Sequence, residues 1–266
     1  MSSGESTVGA AARHNGPILV VDTSFGLTIG IVGHEPLHEA DSRQHVEKIE
    51  PYIARAIDEA GLRPSDIATV VVGTGPAPFT GLRAGIVSAK AFAFATGAEL
   101  LGQDVLEPQA WWDWERRGSQ SVSVPRLVLT LNDARRKQLY FQVFEVVNDT
   151  VTPLSDMDIQ YPQTIVDRVT EIAVAHPGVL LDILGHGAEK YADMWESLRQ
   201  SGIGVNAVDD GSVIHADGSR GLEIFALTAL RKREKGLPTP TDPLYLRRPD
   251  VSLPPPLKPV LKTEQK

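Results

Sequence analysis

Three stretches of this sequence hold side chains that could do chemistry. Asp22 closes the apolar run Ile18 to Val21, and a lone carboxylate at a strand end could face a nucleotide and its magnesium. The triplet Asp22-Thr23-Ser24 equally makes a capped turn through side-chain to backbone hydrogen bonds. Asp133, Arg135, Arg136 and Lys137 crowd one polar turn, which is either a contact for an anion or an RNA backbone or a solvated hairpin end. The third stretch, Gly73 to Gly85, reads Gly-Thr-Gly-Pro-Ala-Pro-Phe-Thr-Gly-Leu-Arg-Ala-Gly. Such a glycine-rich turn before a helix invites a phosphate, but it lacks both the Gly-Lys-Ser/Thr ending and the dinucleotide fingerprint. Pro76 and Pro78 also remove two backbone donors, so the stretch reads as a stiff turn that docks a helix.

Other chemistry is excluded or dispersed. The seven histidines, at positions 14, 34, 38, 45, 176, 186 and 215, are scattered, whereas a metal site recruits a cluster of His and carboxylates. The absence of cysteine rules out disulfides, thiolate metal sites and a cysteine nucleophile, and fits a cytosolic protein. Trp111, Trp112 and Trp114 are either a stacking platform or rings packed into a cleft. A formal net charge of -8 leaves no whole-chain footprint for nucleic acid. No apolar run reaches the ~18 residues of a membrane span, so a soluble, cytoplasmic protein without membrane contact is expected.

The elements that must position these groups are legible as periodicity. Strands are predicted at Pro17 to Val21, Leu27 to Val32, Leu37 to Ala40, Thr69 to Val72 and Glu99 to Gly102. A helix is expected from Gln44 to Ala60, kinked or divided at Pro51, and another runs on from Thr80 as its N-cap. This order, β-β-β-α-β-α-β, is that of a ribonuclease-H-like lobe. Beyond it, strands are predicted at Arg126 to Leu131, Leu139 to Val147 and Val179 to Leu184. Helices are predicted at Gln163 to Ala175, His186 to Gln200 and Leu222 to Lys235. The expected organisation is a disordered arm over residues 1–16, a first lobe over 17–108, a second lobe over 109–250 and a disordered tail over 251–266. The fold class is α/β, a two-lobed actin-like (ASKHA) architecture.

Between Pro17 and Arg247 the chain resembles the TsaB (YeaZ) family, the dimerisation subunit in bacterial tRNA threonylcarbamoyladenosine synthesis. The resemblance rests on Ile18-Leu-Val-Val-Asp-Thr-Ser24, Arg43-Gln-His45, Gly73 to Gly85, Asp133-Ala-Arg135 followed by Tyr140, and Pro243-Leu-Tyr-Leu-Arg247. It departs at Ala77-Pro78, where the family shows Gly-Ser. The resemblance implies a subunit without catalytic residues, cofactor or metal of its own, with ATP and metal on its partners. Those partners would be a TsaD-like catalytic subunit and a TsaE-like ATPase, with tRNA met only through the complex and a homodimer formed when the chain is alone. TsaD carries a His-x-x-x-His metal pair where this chain has Val105 and Gln109, and neither residue is a usual transition-metal ligand. Asp133 and Arg135, carried over from the Asp-x-Arg motif, are candidate contacts to the complex or to tRNA.

The helix after Thr80 has only Arg83 and Lys90 as ionisable groups up to Thr96, and a helix apolar nearly all round is buried on more than one side. Its partner interface is therefore expected at Leu82, Arg83, Ile86, Val87 and Lys90, joined by His45, Ile49 and Tyr52 of the preceding helix. The alternative is an active enzyme of the same fold: a small-molecule kinase using Asp22, or a glycoprotease-like hydrolase.

Overall fold

The computed structural model describes residues 16–40, 45–118, 125–148 and 150–247. The first lobe follows the predicted order: β1 (Ile18–Asp22), β2 (Leu27–Ile31), β3 (Leu37–Glu39), α1 (His45–Glu59), β4 (Thr69–Gly73), α2 (Phe79–Thr96) and β5 (Glu99–Gln103). The first three strands form an antiparallel meander, and β4 and β5 run parallel to β1, giving the spatial order β3-β2-β1-β4-β5. The chain then enters α3 (Glu107–Asp113), whose first N–H groups are capped by Asp104: Leu106 and Glu107 both donate to its Oδ1, at 3.0 and 2.8 Å.

The second lobe repeats the plan. It contains β6 (Arg126–Asp133), β7 (Leu139–Val147), β8 (Thr150–Pro153), β9 (Asp158–Gln160), α4 (Pro162–Ala175), β10 (Leu180–Gly185), α5 (Ala192–Gln200) and β11 (Val205–Asp209), before α6 (Val213–Ala216) and α7 (Gly218–Glu234). Its order is β8-β7-β6-β10-β11, with β9 paired to β7. This is the same meander followed by the same two parallel crossovers. The terminal segments expected at 1–16 and 251–266 lie, apart from residue 16, outside the described residues, and among the described residues no helix is long and apolar enough to cross a membrane.

Strand alternation sorts the core into three slabs. Leu19, Val21, Val70 and Val72 face α1 and α2, while Ile18, Val20 and Val71 face the middle of the molecule. On the second sheet Leu127, Leu129 and Leu131 face α4 and α5, and Val128 faces the middle. The middle layer is α3 and α7 with all three neighbouring tryptophans, Trp111, Trp112 and Trp114, buried there. Trp112 Nε1 donates to Asp217 Oδ2 at 2.9 Å, satisfying the one polar atom of the ring. Residues 218–247 complete the cover of the first sheet, because the strap after α7 also bonds to that lobe: Gly102 N donates to Thr239 O and Leu244 N to Thr74 O.

Four local expectations are corrected. The helix after the glycine-rich turn begins at Phe79 with Pro78 in the N-cap position, and Thr80 lies inside its first turn; the fixed φ of proline supplies the entry that a hydroxyl would have capped. Helix α1 runs through Pro51 without a break, since Ile49, Ile53, Ala56 and Ile57 anchor it to the core on both sides of the exposed proline. The helix expected from His186 starts only at Ala192, because Gly185 and Gly187 adopt φ of 109° and 103°, values outside the helical region. The last helix starts at Gly218, four residues before Leu222.

A buried charge cluster lies at the start of β6 and β10. Arg126 pairs with Asp182, Asn206 Nδ2 donates to Asp182 Oδ1 at 2.7 Å, and Arg117 Nε lies 2.9 Å from Asp113 Oδ1. Burial, and then the charge of Asp182, push the Asp113 carboxyl from 3.8 to about 7. The folded chain therefore holds this proton more tightly than the unfolded chain does. The stabilisation is full below the unfolded value of 3.8, shrinks as pH rises and is gone above about 7. Compared with the parent chain, Asp113→Asn is expected to gain melting temperature steadily from pH 4 to 7. A difference curve flat across that window would refute the shift.

Candidate functional site

The strand ends at Asp22, Gly73, Asn132 and Gly185 meet between the lobes. Asp22 is buried, and its carboxylate accepts from Ser24 Oγ at 2.8 Å and Ser24 N at 3.3 Å. Burial outweighs these bonds and raises its carboxyl to about 6. Glycine is required opposite it: a Cβ on Gly73 would stand 1.9 Å from Asp22 Oδ1, and one on Gly85 would stand 2.3 Å from Thr23 Oγ1. The glycines of the Gly73 to Gly85 turn thus let β4 and α2 close on the end of β1.

The other groups at the cleft are spent on tying the structure together. Asn132 Nδ2 donates to Pro76 O at 3.0 Å, joining the second lobe to the glycine-rich turn. Gln109 uses both ends of its amide: Nε2 donates to Gly211 O at 3.0 Å, and Oε1 accepts from Val213 N. Val105 lines the same space. What remains open is about 20 Å³, room for about one water molecule, whereas small-molecule sites run from roughly 300 to 1,000 Å³.

Four rings fill the mouth of this cleft. Phe25, in the β1–β2 turn, stacks on His186 with centroids 3.5 Å apart. His215 of α6 stands edge-on to both and stacks at 4.7 Å on His38 of β3. His215 Nε2 lies 3.1 Å from Phe25 O, and Thr28 Oγ1 lies 2.9 Å from His38 Nδ1. Burial first, and then a neighbouring histidine, push His186 and His215 down to about 4, and burial lowers His38 as well. At neutral pH all three are uncharged. Reading the histidines as scattered missed this convergence, whose one local signal is Gly185-His-Gly187: a Cβ on Gly185 would stand 2.2 Å from Leu131 O. Among the described residues no group of three or more His, Cys, Asp or Glu is set to hold a metal ion.

The residues expected at the partner interface divide between two faces. Ile49, Leu82 and Ile86 are 2%, 0% and 3% exposed and belong to the core of the first lobe, so they are not on the outer surface. Positions 82, 86, 89 and 93 form the inward stripe of α2, and 83, 87, 90 and 94 the outward one, as a period of about 3.6 requires. Arg83, Val87 and Lys90 are exposed, with Val87 at 63%, and the sequence reading omitted Phe94 at 91%. Tyr52 is half-buried, and the side chain of His45, which opens α1, lies outside the described set. Asp133 and Arg135 stand at the β6–β7 turn, where Asp133 accepts from Arg135 N at 2.7 Å and from Lys190 Nζ at 2.8 Å.

Residues 36–193 match the family model TsaD, tRNA N6-adenosine threonylcarbamoyltransferase. An uncharacterized protein of Mycobacterium tuberculosis is 30% identical over 244 residues, covering 88% of this chain and 93% of that protein. The Escherichia coli tRNA threonylcarbamoyladenosine biosynthesis protein TsaB is 28% identical over 103 residues, 39% of this chain and 42% of that one. This chain belongs to the family that model describes, the TsaD family. YeaZ from Pseudomonas aeruginosa superposes with a TM-score of 0.61 at 20% identity, over 87% of this chain and all of that one, so the two share the fold described above.

Within that fold the neutral histidines of the cleft set an acid limit. Their folded values lie below the unfolded value of 6.5, so their contribution is present above it and lost as pH falls towards about 4. His186→Phe keeps a ring against Phe25 and removes one titrating group. It is expected to lose less melting temperature than the parent chain between pH 6.5 and 4, and an identical acid profile would show that the cleft does not hold His186 neutral.

Proposed function

We propose that this chain is a non-catalytic, dimerisation-type subunit for threonylcarbamoyl transfer to the adenosine beside the anticodon of tRNA, acting by pairing with a TsaD-like subunit. The observation that carries the reading is the filled cleft. The place where a two-lobed protein of this kind would seat a nucleotide holds Phe25, His186 and His215 around about 20 Å³, and Gln109 is used up as a clip between α3 and residues 211–213. ATP and metal then belong to the partners, a TsaD-like transferase and a TsaE-like ATPase. Calorimetry is expected to show no magnesium-dependent binding of ATP to the chain alone, as a closed pocket at Asp22 requires.

The outward face of α1 and α2 supports pairing. Of the ten large hydrophobic side chains exposed among the described residues, Val46, Phe79, Val87 and Phe94 are on these two helices. Tyr52, Arg83 and Lys90 belong to the same pair of helices, which gives an apolar centre with a charged rim. Alone, the chain would turn this face on a second copy, since a two-fold interface is self-complementary. Covering Val87 and Phe94 is worth about 1.5–3 kcal/mol each, whereas burying a lone carboxylate there costs several kcal/mol. Val87→Asp and Phe94→Asp are therefore expected to leave the circular dichroism spectrum unchanged and to abolish both self-association and co-elution with the TsaD-like partner. Ile86→Glu, by contrast, is expected to unfold the first lobe. Folded Val87→Asp and Phe94→Asp proteins that still pair would remove this face as the interface.

A further inference from the structure

Beside the filled cleft lies a second, open space of about 580 Å³, walled by the β1–β2 turn, the first turn of α2 and the β6–β7 turn. Phe25 lines it, with one ring face against His186 and 44% of the residue exposed. Arg135 lines it from the opposite lobe, and Phe79 stands between them at the start of α2.

The turn that carries Arg135 is unusual. Arg135, Arg136 and Lys137 have φ of 59°, 51° and 62°, three consecutive left-handed residues with neither glycine nor asparagine among them. Side chains rarely adopt that region, and strain of this kind collects at functional positions. The turn is braced on both sides, by Lys190 on Asp133 and by Arg247 on Gln138. Lys190 also neutralises the one carboxylate of the groove, so the charge of Arg135 is not cancelled by Asp133. The result is a braced turn that sets one cation, Arg135, on the wall of a groove that also has an open aromatic ring.

We infer that this groove takes an unpaired nucleotide of RNA, with the base against Phe25 and the phosphate on Arg135. A ring and a cation on opposite walls fit a base and its phosphate, because base–aromatic stacking tolerates any base and cations track the backbone. The space exceeds what one small anion needs. The choice of RNA rests on the function proposed above, and the contact would add to the binding surface of the complex.

The test is fluorescence anisotropy with a labelled tRNA anticodon stem-loop, using the full chain alone and mixed with its TsaD-like partner. Positive φ makes glycine the backbone-compatible replacement, so Arg135→Gly is expected to melt no lower than the parent chain. It is expected to weaken RNA binding and to reduce the slope of log K against log salt by about 0.7. Phe25→Ala is expected to weaken binding about tenfold with the slope unchanged, as loss of one stacked base would. No RNA binding by the parent chain in either setting, or equal affinity in both variants and the parent, overturns the inference. Loss in Arg135→Gly without loss in Phe25→Ala also overturns it, reducing the turn to a general polyanion contact. Co-elution with the partner is the independent arm. Pairing without RNA binding sinks the groove and leaves the subunit reading standing, and RNA binding without pairing does the reverse.

Discussion

Both sheets are buried on both faces, and that constraint governs the rest of the molecule. The central strands β1, β4, β6 and β10 are buried at almost every position, so neither face can meet water without exposing Val, Leu or Ile. Helices α1 and α2 cover one outer face, and α4 and α5 the other. The two inner faces share one layer, α3 and α7, and a shared layer means that neither lobe is complete without it. This explains the position of the large rings: Trp112 and Phe225 lie in the middle slab, where a side chain contacts atoms contributed by both sheets.

The same sharing accounts for the closed cleft. Two lobes that open and shut around a ligand need a hinge with few contacts across it, whereas α7 packs on the first sheet while α3, against which it lies, packs on the second. Asn132 to Pro76, Gln109 to Gly211 and Val213, and the strap at Thr239 and Leu244 add directed bonds across the molecule. Neutral histidine rings suit such a join. They pack like hydrophobic groups at neutral pH; His38 and His215 bond to Thr28 and the Phe25 carbonyl, while His186 Nε2 is buried without a hydrogen-bond partner among the described residues. The buried carboxyls of Asp22 and Asp113 titrate with the opposite sign to His186 and His215. As pH falls through the acid range, stability gained at the carboxyls therefore offsets stability lost at the histidines.

What the sequence disclosed and what it hid divide along physical lines. The first lobe was legible because its strands are short apolar runs between glycine and proline turns, and because Gly73 to Gly85 has a single geometric reading, the close approach of α2 to Asp22 and Thr23. The second lobe was only partly legible: β11 alternates too weakly at Val205 to Asp209, and its relation to β10 depends on pairing across a helix. The faces of α2 were confused because Leu82, Ile86, Val87 and Phe94 are equally apolar, so the helix has little amphipathic contrast, and only packing separates the stripe on the sheet from the stripe in solvent. The ring cluster was illegible for another reason. His38, His186 and His215 come from three distant segments, and no local pattern records that β3, the turn after β10 and α6 end at one place.

The strap after α7 links these features. From Leu237 it crosses the edge of the first sheet at Gly102, where a Cβ would stand 1.9 Å from Pro240 O, bonds to Thr74 beside the glycine-rich turn, and ends with Tyr245 on Phe79 and Arg247 on Gln138. It therefore touches the start of α2 and the β6–β7 turn in succession. The start of α2 in the first lobe and the cationic turn of the second are in this way linked through a few residues of strap, although no residue belongs to both.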